Sequence, residues 1–177
     1  MKGLSRKRLF CWEPRNTRTK VVMAVYAPLF ASVNLNKWPA NAVNFDNYRA
    51  YGTPSYYAQL MLANNTGDIN IGVGRLEGLL NKKLFVNANR VRSSGEIIVK
   101  IVNSEGQPRE IQINLRGMRE SPDTGREIVL AGPDLKAGNS FDAPTNVAPV
   151  ERKLDKAGMS FNYVVRPYSF TVLRLMP

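Results

Sequence analysis

Fourteen carboxylates set the first chemical question, because two of them held across a glycosidic bond would supply an acid and a nucleophile. The chain has 14 Asp plus Glu and 25 Lys plus Arg in 177 residues. It has no histidine, and its single cysteine is Cys11. The lack of imidazole removes Ser-His-Asp and Cys-His relays, His-based zinc sites and a histidine proton switch. One cysteine permits neither an internal disulfide nor a Cys cluster for a metal. Most of the acids, such as Glu96, Glu105, Glu110, Glu120, Asp123 and Glu127, fall at turns or on polar strand faces, so they read as solvated surface groups.

The remaining motifs are short. Asp68-Ile69-Asn70 offers two oxygen donors without further ligand spacing for calcium. Gly72-Val73-Gly74 lacks the strand–loop–helix context of a phosphate cradle. Asn64-Asn65-Thr66 fits a glycosylation sequon, a tripeptide common by chance. No metal and no cofactor is expected. Trp38, Phe45, Tyr48, Tyr51, Tyr56 and Tyr57 form an aromatic set that either stacks on sugar rings or joins a helix to a neighbouring layer, and the second reading is favoured.

The elements that would position these groups change character along the chain. Val21 to Phe30 is apolar and β-branched up to Pro28 and reads as a buried strand or a helix end. Ala31 to Gly52 has no clear period and reads as a loop. Thr53 suits an N-cap and Pro54 the first helical position, where its missing N–H costs nothing. The pairs Tyr56/Leu60 and Tyr57/Met61 are spaced to share a face. The helix should stop in Asn64–Gly67, with Gly67 available for a left-handed cap.

Beyond Gly67 the period becomes two. Ile111, Ile113 and Leu115 alternate with Glu110, Gln112, Asn114 and Arg116, which predicts a half-buried strand with a wet face. Leu84–Ala88, Glu96–Val102 and Ser160–Val165 predict three more. Ser169–Leu175, apolar on both faces, predicts a central one. Gly, Ser and Pro breakers separate these segments, and many short strands at this spacing argue for an antiparallel sandwich. About 110 residues suffice for one core of their own.

Charge is uneven. Residues 1–20 hold seven basic residues and one acid, against a net charge of +11 for the whole. Leu9, Phe10, Cys11 and Trp12 interrupt the basic run, so a solvated terminus is favoured over a nucleic-acid arm. The apolar run Val21–Val33 is interrupted by Pro28 and is shorter than the roughly 20 residues of a membrane helix. No membrane partner is expected. Basic Lys2, Arg6, Lys7 and Arg8 are followed by no apolar h-region, so no signal peptide is read and the chain as written is cytoplasmic.

Two ordered stretches carry a family resemblance. Tyr26-Ala27-Pro28-Leu29-Phe30, Val33-Asn34, Trp38, Phe45-Asp46 and Tyr51-Gly52-Thr53-Pro54-Ser55-Tyr56-Tyr57 resemble the region after the last catalytic elements of glycoside hydrolase family 51 α-L-arabinofuranosidases. Asn139 to Thr145, Val147 to Glu151 and the closing Pro167 to Leu175 resemble the end of the same enzymes. The resemblance implies a mainly β fold: an antiparallel, jelly-roll-like β-sandwich at 67–177, preceded at 21–66 by a strand, loop and helix remnant of a (β/α)8 barrel. Residues 1–20 depart from the family pattern. Read in another frame, codons for Trp12–Lys20 allow a family-like stretch, so this part is expected to be non-native.

The family's acid/base Glu follows an Asn and its nucleophile motif contains a His; this sequence has neither feature, so no catalytic residue is carried over. The resemblance implies a non-catalytic C-terminal fragment, inactive alone, of an enzyme that removes terminal α-L-arabinofuranosyl groups from arabinan or arabinoxylan. Its partner would be an arabinose-containing polysaccharide or oligosaccharide, and parents of this kind are often secreted or periplasmic. Asn34 and Trp38 are the candidates for substrate contact. Exposed remnant edges at 21–66 imply self-association. The rival readings are a free carbohydrate-binding module and a basic nucleic-acid-binding β protein.

Overall fold

The computed structural model describes residues 25–35, 40–74, 83–118, 120–154 and 157–177. It is mainly β, with one helix among the described residues. The chain divides into two compact units, Met1–Ala63 with Gly132–Ala148 and Asn64–Ala131 with Pro149–Pro177.

The first unit contains a small mixed sheet of β1 (Phe30–Ser32), β2 (Val43–Phe45) and β3 (Ala50–Gly52) in that order. β1 and β2 run parallel, with Phe30 opposite Val43, and β2 and β3 antiparallel. The strand expected over Val21–Phe30 is therefore displaced. Its described part, 25–29, is irregular, and the ladder begins only at Phe30. Pro28 has no N–H to give a ladder. Residues 21–24 lie outside the described residues.

Helix α1 (Pro54–Asn64) starts where Thr53 and Pro54 predict. The Tyr56 amide donates to Thr53 Oγ1 at 3.4 Å, satisfying a first-turn N–H. The buried face differs from the expected pairs. It consists of Ala58, Met61 and Leu62, one helical turn apart, whereas Leu60 is exposed. Gly67 is not a left-handed cap either: among the described residues only Gly95 and Gly117 are glycines with positive φ. Gly67 is needed for close approach, since a Cβ there would lie 2.7 Å from the Arg90 carbonyl oxygen.

The second unit is a sandwich of two unequal antiparallel sheets. The larger has the order β4 (Ile69–Ile71), β5 (Leu84–Arg90), β6 (Ile97–Asn103), β11 (Ser169–Met176), β8 (Thr124–Leu130) and β9 (Pro149–Lys153). β11 is central, as its two apolar faces predict. The smaller sheet pairs β7 (Arg109–Asn114) with β10 (Ser160–Val165), Ile113 opposite Phe161. The short β4 and the strands β8 and β9 are additions to the sequence reading. β9 exposes Val150 to Lys153 along a sheet edge, so its pattern carries little buried signal.

The inner face of the larger sheet supplies Leu84, Ala88, Ile97, Val99, Ile101, Leu173 and Leu175 to one apolar cluster. Phe161, Tyr163 and Val165 come down onto it from β10, Ile111 and Ile113 from β7, and Leu115 from the residue just after β7. Glu110, Gln112 and Asn114 point outward, the register that alternation predicts. Full burial of one such aliphatic side chain contributes about 1.5–3 kcal/mol.

Candidate functional site

The first of the stretches that carry the family resemblance and the 139–148 part of the second lie in the first unit. Asn139 sits in the irregular segment 132–148, and its Nδ2 donates to the Gly52 carbonyl at 2.7 Å and to the Val147 carbonyl at 3.0 Å. Its Oδ1 accepts from the Val147 amide at 2.6 Å. One side chain thus closes its own loop and ties it to β3. Phe141 from the same segment stands edge-on to Tyr51, with ring centroids 5.0 Å apart. Gly52 leaves no room for a Cβ, which would collide with the Tyr56 ring.

Between β2 and β3 the chain makes a tight, heavily bonded turn. Asp46 Oδ1 accepts from the amides of Tyr48 at 2.8 Å and Arg49 at 2.7 Å. Asp46 Oδ2 takes two bonds from the Arg49 guanidinium, at 3.2 and 3.1 Å. The guanidinium carbon lies 4.4 Å from the centre of the Phe141 ring. The Tyr48 amide bond and the bonds from Arg49 hold the Asp46 carboxyl below its ordinary value against the opposing effect of desolvation. An Asp at the head of Asn-Tyr-Arg is a turn signal, but nothing in the sequence announces that Phe141 lies beneath it.

Of the two candidate contact residues, Asn34 lies exposed in a turn after β1, closed by the Leu35 amide donating to the Ser32 carbonyl at 3.2 Å. Trp38 lies outside the described residues. Asn41 is buried, with Nδ2 donating to Asn44 Oδ1 at 2.6 Å and its own Oδ1 without a partner among the described residues.

Three carboxylates of the second unit, Glu96, Glu105 and Glu127, are less solvated than their pattern suggests, which corrects their reading as surface groups, whereas Glu110, Glu120 and Asp123 are exposed as expected. Glu96 is buried and accepts two hydrogen bonds from the Arg174 guanidinium, Nε to Oε1 at 2.7 Å and Nη2 to Oε2 at 2.6 Å. The Glu96 hydrogen bond raises the Arg174 pKa. Glu105 is bonded to Arg109 and lies 3.2 Å from Lys83. These contacts, Arg109 first, lower the Glu105 pKa. Glu127 accepts from the Tyr163 hydroxyl at 2.8 Å. Burial and this bond raise the Tyr163 pKa. These three contacts are structural ties within the sandwich.

Asp68 and Asn70 are also committed elsewhere. Asp68 Oδ2 accepts from the Arg92 amide at 3.0 Å, and Asn70 Oδ1 from Asn89 Nδ2 at 2.7 Å. Among the described residues no three His, Cys, Asp or Glu side chains gather as metal ligands. No helix of the described residues is long and apolar enough to cross a membrane.

Comparison with known proteins gives this architecture a family. Residues 15–169 match the model of the α-L-arabinofuranosidase C-terminal domain. Arabidopsis thaliana α-L-arabinofuranosidase 1 is 31% identical over 163 residues, which cover 88% of this chain and 24% of that protein. α-L-Arabinofuranosidase 2 of the same plant is 27% identical over 161 residues, covering 88% and 23%. An arabinose-bound GH51 α-L-arabinofuranosidase superposes with a TM-score of 0.87 at 26% identity, over 98% of this chain and 27% of that one. The fold alone is shared with the thermostable GH51 enzyme of Thermotoga petrophila RKU-1, with a TM-score of 0.79 at 17% identity, over 97% of this chain and 37% of that one. The chain thus spans a small part of the relatives it matches, and neither the free sugar-binding module nor the nucleic-acid reading is favoured. With its sandwich, its Asn139–Gly52 tie and a match over most of its length, the chain belongs to the C-terminal domain family of GH51 α-L-arabinofuranosidases.

Proposed function

We propose that the chain serves an α-L-arabinofuranosidase as its non-catalytic C-terminal part. Residues 67–177 hold the sandwich domain, apart from 132–148, which group with the first unit, and residues 21–66 derive from the last strand, loop and helix of the catalytic barrel. The enzyme so completed removes terminal α-L-arabinofuranosyl groups from arabinan, arabinoxylan or arabino-oligosaccharides. The observation that carries this reading is the family match over residues 15–169.

The small mixed sheet supports the barrel-derived assignment. Parallel strands are almost always covered on both faces, yet Leu29, Phe30 and Leu35 around the parallel strand β1 are exposed, Phe30 to 62%. Apolar exposure at an unpaired strand edge favours association, either with the rest of a barrel or with another copy through residues 21–66. Asn34, at the C-terminal end of β1, stands where barrel enzymes form their sites. It and Trp38 are assigned to substrate contact.

The sequence contains no Asn-Glu pair and no His, so the chain alone should leave an aryl α-L-arabinofuranoside unhydrolysed. Joined behind the catalytic portion of the Arabidopsis relative, in place of that enzyme's matched region, it should give an active hydrolase whose KM rises on Asn34→Ala. Turnover by the isolated chain that disappears in a Glu-by-Glu mutation series overturns the non-catalytic assignment.

A further inference from the structure

The aromatic residues of the first unit divide by use. Tyr51 stands edge-on to Phe141 and Tyr56 edge-on to Tyr57, with ring centroids 5.0 and 5.3 Å apart. These rings serve packing. Tyr48 does not: it keeps 94% of its exposure. A solvated tyrosine on a loose loop would need no explanation, but this turn is tied at every residue that flanks the ring. The Asp46 amide donates to the Arg49 carbonyl at 2.9 Å, and the Asp46 carboxylate accepts from the amides of Tyr48 and Arg49. The Arg49 guanidinium binds the same carboxylate and rests on the Phe141 ring.

The strand register decides which end of the small sheet carries Tyr48. β2 runs parallel to β1, with Ser32 opposite Phe45. The Val33 amide donates to the Phe45 carbonyl at 3.0 Å. The turn that follows Phe45 therefore lies beyond the C-terminal end of β1. Asn34 follows that same end in its own turn. Asn34, Asn47 and Tyr48 thus share one end of the sheet, and all three are exposed. The turn 46–49 joins β2 to β3, so it stands one to two strand spacings from β1, roughly 5–10 Å.

We propose that Tyr48 is a glycan-binding residue, which stacks on a main-chain sugar ring next to the terminal arabinofuranosyl group. The assignment rests on the reading of Asn34 as a substrate contact. With the terminal sugar at Asn34, the ring that carries it extends outward to the turn 46–49. A sugar ring presents C–H groups on its face and hydroxyls around its rim. The tyrosine ring offers the face an apolar surface of negative electrostatic potential. The carboxamides of Asn34 and Asn47 offer the rim both donors and acceptors. Asp46 and Arg49 compensate each other at 3.1 Å, so the turn has no net charge with which to select an ionic ligand. Tyrosine brings a wide contact area for two torsions, and a turn already ordered loses little freedom on binding.

The test is read on the whole chain by NMR with three probes: an arabinoxylo-oligosaccharide, a branched arabino-oligosaccharide and free arabinose. At concentrations on the order of millimolar, the Tyr48 ring signals should move with at least one oligosaccharide. Which one moves them tells whether a xylan or an arabinan main chain is held. Free arabinose at the same concentration should move them at least about fivefold less. Affinity, followed at the amides of Asn34 and Asn47, should fall about fivefold or more in Tyr48→Ala and be kept in Tyr48→Phe, which retains the ring. Both variants change only an exposed side chain. Ring signals unmoved by either oligosaccharide overturn the proposal. So does an equal response to free arabinose, or an affinity unchanged in Tyr48→Ala. Turnover plays no part in these readings, so their failure is distinct from failure of the joined enzyme to hydrolyse, which counts against the proposed function.

Discussion

Asn139 and Gly52 lie 87 residues apart in the sequence and are joined by a 2.7 Å hydrogen bond from side-chain Nδ2 to main-chain oxygen. The same amide group closes the 132–148 segment on itself through Val147, which is fully buried. The bond fixes an irregular stretch that has no ladder of its own, and it does so on the strand that leads into the helix cap at Thr53.

Asn139→Ala should destabilise the first unit by about 1–3 kcal/mol, because the Val147 amide loses its only described acceptor in a buried position. Asn139→Asp should be worse at neutral pH, since it removes both donors and sets a carboxylate against two carbonyls. Urea midpoints of the two variants and accelerated exchange of the Val147 amide check both statements. An unchanged midpoint for Asn139→Asp would show that the segment is held by other contacts.

The Glu96–Arg174 pair should behave asymmetrically. Arg174→Met strands a buried carboxylate and should cost about 3 kcal/mol, the low end for a buried pair because the arginine side chain keeps 24% of its exposure. The double variant Glu96→Leu/Arg174→Met should lie within about 1 kcal/mol of the parent. Equal losses in the single and double variants, measured by denaturant titration, would mean that the charges contribute nothing beyond packing.

Acid should loosen the second unit through Glu105. Its carboxyl is held below the ordinary value of 4.5 by Arg109 and Lys83. The folded form therefore binds this proton less tightly than the unfolded chain. The resulting stability is present above the ordinary value and is lost as pH falls through the lower, folded one. Melting temperature should decline between about pH 5 and pH 3, and less steeply in Glu105→Gln. Parallel curves for the two proteins would remove Glu105 from the acid response.

The alternation of Ile111, Ile113 and Leu115 with polar neighbours determined the face that β7 buries. The run Ser169–Leu175, with apolar residues on both faces, placed β11 between neighbours, and Thr53-Pro54 fixed where the helix begins. These features are legible because period, propensity and capping act over a few residues. The partners of Glu96, Glu105 and Glu127 were not legible there. A carboxylate on a strand reads as solvated until the chain is folded and Arg174, 78 residues away, is laid beside Glu96. The Asp46–Arg49 turn could be read as a turn, but Phe141 beneath the guanidinium comes from a distant loop. The helix face turned out as Ala58–Met61–Leu62, because burial depends on what the unit packs there and not on the size of Leu60 alone. Local order is written in the sequence by short-range sterics and hydrogen bonding. Which charged groups meet and where an irregular loop is tied are decided by topology, which brings together residues whose separation no period encodes.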